Sequence, residues 1–220
     1  MDLTMSNEEI IWVYLRNEGL SDFAVAGIMG NLYAESGLIS NNLQNNYEAI
    51  LGMTDSEYTE AVDNGSYGNF VRDMAGYGLA QWTFWSRKQD LLTLAKGKRV
   101  SIGDLTMQLE FLCSELVEFG LWDKLNACRS VRDASNLILF EYEKPQDMST
   151  AVQNARANWS QGYYDKYAGK QILPSPPEKE LDRQYCVIGF LICSDKATAR
   201  QKLSSFQAAG FQRFITIADP

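Results

Sequence analysis

Between Ser21 and Gly37 the chain carries the pattern that most limits its fold: an apolar helix that ends on an acid. Val25, Ile28, Met29 and Leu32 recur at the spacing of one helical face, Ser21 is placed to cap the first turn, and Gly37 stands where a left-handed residue closes the last. At about 100° per residue, Glu35 falls close to Ile28, at the edge of the apolar stripe. There it meets the negative end of the helix dipole and apolar surface, and both disfavour the ionised form. A general acid working near neutral pH needs that effect. A solvated carboxylate at a frayed helix end is the plainer alternative.

A second string, Gly-Tyr-Gly-Leu-Ala-Gln-Trp-Thr from Gly76 to Thr83, changes the balance between the two. A helix ending in Glu-Ser-Gly, followed about forty residues later by Tyr-Gly-x-x-Gln in a short β-hairpin, resembles the lysozyme-like superfamily of lysozymes and lytic transglycosylases. The longer wording, Gly-x-Met-Gly-Asn-Leu-Tyr-Ala-Glu-Ser-Gly-Leu from Gly27 to Leu38, then the second string and Arg87, is similar to the phage-tail lysozyme family of bacteriophage endolysins and tail-associated lysins. The resemblance spans about Ser6 to Tyr167. It implies an α+β fold: a mainly helical lysozyme-like domain with a small β-hairpin. It also implies a peptidoglycan-cleaving glycosidase acting on the β-1,4 bond between N-acetylmuramic acid and N-acetylglucosamine. By matching motif, Glu35 is the general acid, Ser36 a supporting hydrogen-bonding residue, and Tyr77 and Gln81 cleft residues. A non-catalytic glycan-binding module that has kept the cleft is the alternative.

In animal-type lysozymes an aspartate stands immediately before the Tyr-Gly-x-x-Gln string, and here that place is Gly76. Glycoside hydrolysis normally uses two carboxylates, whereas the resemblance to lytic transglycosylases implies one, with an acetamido group and a hydroxyl of the sugar completing the reaction. Glu48, Asp55, Asp63 and Asp73 lie between the two strings. Asp73, just ahead of the hairpin, and Glu48, on the segment leaving the helix, are the best-placed second carboxylates. Aromatic faces stack on the apolar faces of sugars, so Trp82 and Trp85 join the substrate-binding candidates, and Gln81 offers donor and acceptor to an acetamido group. Trp82 and Phe84 suit a core equally well. Arg87 has two readings, binding substrate or pairing with an acid of the fold.

The chain has no histidine, which removes His-based triads and zinc peptidases or amidases with His ligands. Cys113, Cys128, Cys186 and Cys193 match no paired Cys-x-x-Cys site and read as free and largely buried. No metal and no cofactor is expected, and of the wall-cleaving chemistries glycan cleavage by carboxylate remains. A net charge of -8 argues against nucleic acid as a partner and against docking on anionic membranes. No apolar run is long enough for membrane insertion. Met1 to Glu9 has neither a basic nor an apolar region of a signal peptide. The expectation is synthesis in a host cytoplasm and action on bacterial peptidoglycan after release or as a phage tail component.

A capping box from Ser6 to Glu9 opens a first helix through Leu15, expected to pack on the second helix where Gly27 and Gly30 permit close approach. Residues 41–73 read as a long polar lobe, facing substrate or decorating the fold, with one short helix over 55–63. Further helices are predicted over 86–94, 105–119, 131–142 and 149–167. Glu141 and Glu143 flank Tyr142, point to different sides of a helix, and are read as structural. Residues 1–170 thus form the glycosidase domain. Pro174, Pro176 and Pro177 stiffen a linker over 171–180. Residues 181–220 predict a small β-α-β unit, a candidate for wall binding or homo-oligomer formation. Its wording faintly resembles the first half of a SPOR-type repeat.

Overall fold

Side-chain caps start most of the helices. The computed structural model describes residues 5–170. The predicted linker, the β-α-β unit with its proposed self-association, Cys186 and Cys193 lie outside these residues. Ser6 and Glu9 close a reciprocal capping box on α1 (Asn7–Asn17). Ser21 caps α2 (Asp22–Ser36), which ends at Gly37 with φ +63°. The 41–73 lobe holds α3 (Asn45–Leu51) and α4 (Asp55–Asp63), the first of which carries too little periodicity to be predicted. α5 (Trp85–Lys98), α6 (Leu105–Glu118), α7 (Trp122–Ala127), α8 (Val131–Leu137) and α9 (Thr150–Tyr167) complete the helices of the described residues.

The predicted helix over 131–142 is two elements, because after Leu137 the chain continues as a π-helical segment, Ile138–Glu143. The amide of Lys144 donates to Leu139 O at 3.0 Å, an i to i−5 bond, and Lys144 then turns into the left-handed region ahead of Pro145. Such widened turns often occur where a fold places a functional side chain.

The predicted β-hairpin is not present as paired strands. Among the described residues β structure is limited to two isolated antiparallel bridges, Leu43 with Tyr77 and Tyr77 with Trp82. The domain is therefore mainly helical. Across the turn Tyr77 and Trp82 exchange backbone bonds, and Gln81 N donates to Gly78 O at 3.1 Å. The neighbouring amides are spent elsewhere: Gly78 N donates to Asn42 O and Leu79 N to Gln108 Oε1.

α2 is the central helix. Every residue from Ala24 to Leu32 is buried, so it is covered on all sides rather than along one stripe. Its glycines do not receive α1, as the sequence predicts, although α1 does touch α2. A β-carbon on Gly27 would lie 2.6 Å from Ala134 Cβ on α8, and one on Gly30 would lie 2.5 Å from Ser160 N and 2.8 Å from Arg156 O on α9. Two small residues thus set the spacing of α8 and α9 against α2.

Gly30→Ala should therefore destabilise by about 2–3 kcal/mol despite the better helix propensity of alanine, because backbone cannot yield as a side chain can. The check is a drop in thermal midpoint of roughly 4–10 °C. A midpoint equal to the parent's would contradict this packing.

Candidate active site

The last turn of α2 carries the first candidate residue, Glu35. Glu35 is one turn beyond Asn31, a polar side chain with no exposure inside an otherwise apolar helix. Asn31 Nδ2 donates to Gly27 O at 2.8 Å and to Ser135 O at 3.0 Å, while its Oδ1 accepts from Arg156 Nη1 at 3.1 Å. Arg156 then reaches Glu35, with Nη2 2.5 Å from Oε1. The Arg156 side chain is 8% exposed and that of Glu35 20%. The helix end thus presents a carboxyl that is gripped on one oxygen by a guanidinium from α9. The ion pair to Arg156 has no trace in the local sequence around Glu35.

Ser36 is buried and points the other way. Its hydroxyl donates to Leu32 O or Leu79 O, at 3.1 and 2.9 Å, tying the helix end to the 76–83 turn. That turn carries Gln81 in the left-handed region, φ +46°, an uncommon conformation for a residue with a side chain. Its Nε2 donates toward Asn42 Oδ1 at 2.9 Å and Gly78 O at 3.1 Å. A β-carbon on Gly76 would come 2.7 Å from Gln81 Oε1. The space that a side chain at position 76 would need is here taken by the Gln81 amide.

A cleft of about 430 Å³ opens between these parts, lined by Glu35, Gln44, Ala80, Gln81, Thr83, Phe84, Arg87, Glu143 and Pro145. Phe84 and Trp85 are exposed at 61% and 57%, with Phe84 on the cleft wall. A more open depression of about 500 Å³ lies on the 41–73 lobe, but its lining, from Asn41 to Asn64, includes neither Glu35 nor the turn. The cleft next to Glu35 is the better candidate because it joins a carboxyl, an amide and an aromatic ring.

Several predicted site residues lie elsewhere. Tyr77 and Trp82 have no exposure and belong to the core, so neither ring can stack on a ligand. Tyr77 OH pairs with Thr59 Oγ1 at 2.7 Å, and Trp82 Nε1 donates to Glu115 Oε2 at 2.9 Å. Asp73 is also buried: one oxygen accepts from Lys88 Nζ at 2.6 Å and the other from Tyr58 OH at 2.5 Å. Glu48 sits on α3 and does not line the cleft. Asp55 and Asp63 accept the amides of Leu43 and Ile102.

Arg87 pairs with an acid of the fold and also stands at the cleft edge. Its guanidinium forms a fork on Glu115, at 2.6 and 2.8 Å, stacks 4.8 Å from the Tyr142 ring, and borders the cleft.

Glu143 stands where the predicted α-helix does not put it. Glu141 points outward to Lys124, as a scaffold residue would, but the π segment turns Glu143 into the cleft. Its Oε1 is sealed from solvent and has no hydrogen-bond partner. Burial above all, and then the charge of Glu35, push its carboxyl well above the usual range. Neither Arg156 nor Glu143 has a local sequence signature. Only Asn31, one turn before Glu35 among apolar residues, marks a polar network there.

Among the described residues no cluster of three or more His, Cys, Asp or Glu side chains is placed to hold a metal, and no helix is long and apolar enough to cross a membrane. Cys113 and Cys128 are free and half-buried. The chain finds no match among curated proteins. A family model described as phage tail lysozyme matches residues 6–167, about three quarters of the sequence. With the helix-end glutamate, the glutamine turn and the cleft between them all inside that span, the chain belongs to the phage tail lysozyme family.

Proposed function

We propose that this cleft cleaves the β-1,4 bond between N-acetylmuramic acid and N-acetylglucosamine in bacterial peptidoglycan, with Glu35 as general acid. The observation that supports it best is the placement of a partly buried glutamate at the end of a rigid central helix, in one cleft with Gln81 and Phe84. Gln81 and Arg87 provide polar groups for an acetamido or hydroxyl group, and the exposed faces of Phe84 and Trp85 suit a sugar ring.

In this reading Glu35 protonates the oxygen at C4 of the departing N-acetylglucosamine, and the C1–O bond breaks with its electron pair on that oxygen. The sugar's acetamido oxygen bonds to C1, a role that a second carboxylate has in other glycosidases. Asp73 and Glu48 do not face the cleft, and Glu143, which does, has a buried oxygen and a carboxyl pushed toward its protonated form, which favours the substrate's own acetamido group in that role. Water, or the sugar's own 6-hydroxyl, then bonds to C1 as the C1–acetamido oxygen bond breaks with its electron pair on that oxygen, and the attacking group's proton passes to Glu35. The family points to a phage-associated protein acting on the cell wall.

Mass spectrometry of digested, purified walls tests the proposal. Muropeptides with N-acetylmuramic acid reducing ends mark hydrolysis, and 1,6-anhydro ends mark transglycosylation. Intact glycan strands with the protein bound to them would show a binding module instead.

A further inference from the structure

Glu35 and Glu143 face one cleft from unequal settings. Arg156 holds one oxygen of Glu35 at 2.5 Å, whereas Oε1 of Glu143 is buried without a partner. Negative charge is therefore held by a direct ion pair on Glu35, whereas Arg87 and Arg156 lie near Glu143 without a hydrogen bond to its buried Oε1. A buried, unpaired carboxylate oxygen costs more than a buried carboxyl group that has kept its proton. We propose that Glu35 and Glu143 together hold one proton through the neutral range, resting on Glu143 while Arg156 pairs with Glu35, and that this is the proton Glu35 delivers to the substrate.

This rests on the reading of Glu35 as the acid. Glu143 acts through Glu35 and is a positioning residue. The charged groups around it are Glu35 on α2, Arg156 on α9, Arg87 on α5 and Glu115 on α6. Glu115 is already occupied by Arg87, Trp82 and Tyr142, so Glu35 is the acid with which Glu143 can divide a proton. Two carboxyls that share one proton titrate as a pair rather than one by one.

The proton count closes. Glu143 gives its proton to the Glu35 carboxylate, Glu35 gives it to the departing oxygen, and the attacking water or hydroxyl restores one proton to the pair.

The test is the pH dependence of wall lysis by the parent, Glu143→Gln and Glu35→Gln. In the parent the pair retains the shared proton, so activity persists toward alkaline pH. Glutamine at 143 leaves Glu35 to titrate alone beside Arg156. The alkaline limb should then move at least one unit toward acid, with about a tenfold loss at neutral pH for each unit, and the two rates should converge at the acidic end. Glu143→Asp, which keeps a titratable carboxyl, should retain the parent's limb.

A uniform loss at every pH, or no loss, would overturn the shared proton, since a merely structural Glu143 does not move the limb. Thermal unfolding gives a second readout that does not need activity. The native parent keeps a proton that the unfolded chain releases above about pH 4.3. Its stability should fall as pH rises from there toward the raised native value, and Glu143→Gln should lack that fall. Parallel curves for the two proteins would also overturn the proposal. If Glu35→Gln lyses walls like the parent, the reading of the acid fails. If Glu35→Gln is inert and Glu143→Gln keeps the parent's limb, only the shared proton fails.

Discussion

Glu35→Gln should lower wall lysis by about a thousandfold while leaving the fold and wall binding in place, since a positioned general acid contributes roughly 10²–10⁴ in rate. Glutamine has the same shape and can accept from Arg156 Nη2 through its carbonyl oxygen, so the tie that fixes α9 to the end of α2 persists. It cannot give up a proton to a glycosidic oxygen. The loss should therefore fall on kcat, with KM within a few-fold of the parent, because an interaction made only in the transition state has been removed. Turbidity decay of purified walls gives the rate, and sedimentation with the same walls gives the binding. Lysis at the parent's rate would remove Glu35 from the chemistry. An equal loss of binding would show that the carboxyl holds substrate rather than protonating it.

How much of this was legible in the sequence depends on how far each signal reaches along the chain. Ser6 with Glu9 and Ser21 with Gly37 act within a single turn, so their letters alone set the bounds of α1 and α2. Glu35 was visible because helical period and motif both point to it. Arg156, 121 residues later, reaches Glu35 only because Gly30 lets α9 come close, and no local pattern encodes that approach. Tyr77 and Trp82 were misplaced for a different reason. An aromatic in a glycine-rich turn suits a sugar face and a core equally, and the choice is made by Thr59 and Glu115, which bind their polar ends from inside the domain. For Glu143, α-helical spacing correctly separates it from Glu141, but the wider π turn carries it into the cleft.

The second large effect concerns Asp73, which sequence position alone would make a catalytic candidate. Lys88 Nζ and Asp73 form an ion pair with side-chain exposures of 0% and 2%. Around it Tyr58 and Tyr67 donate to Asp73, and Lys88 also donates to Ala75 O. Breaking a buried pair by removing one partner typically costs about 3–5 kcal/mol, because the other charge is left without compensation. Asp73→Ala should therefore lower the thermal midpoint by roughly 6–15 °C. Burial pulls the Lys88 ammonium below its ordinary value and Asp73 opposes that pull, so the variant's lysine should release its proton more readily. Above its native value the folded chain then holds one proton fewer than the unfolded chain, and stability rises with pH toward about 10.4. Asp73→Ala should accordingly regain part of its loss under alkaline conditions. Adding Lys88→Met, which removes the orphaned charge and fills similar volume, should recover a large part at every pH. Folded Asp73→Ala, assayed well below its midpoint, should lyse walls within a few-fold of the parent, whereas a thousandfold loss in kcat would return Asp73 to the reaction. The acid that looked best placed for chemistry works, on this structure, to fix α5 beneath the turn that carries Gln81.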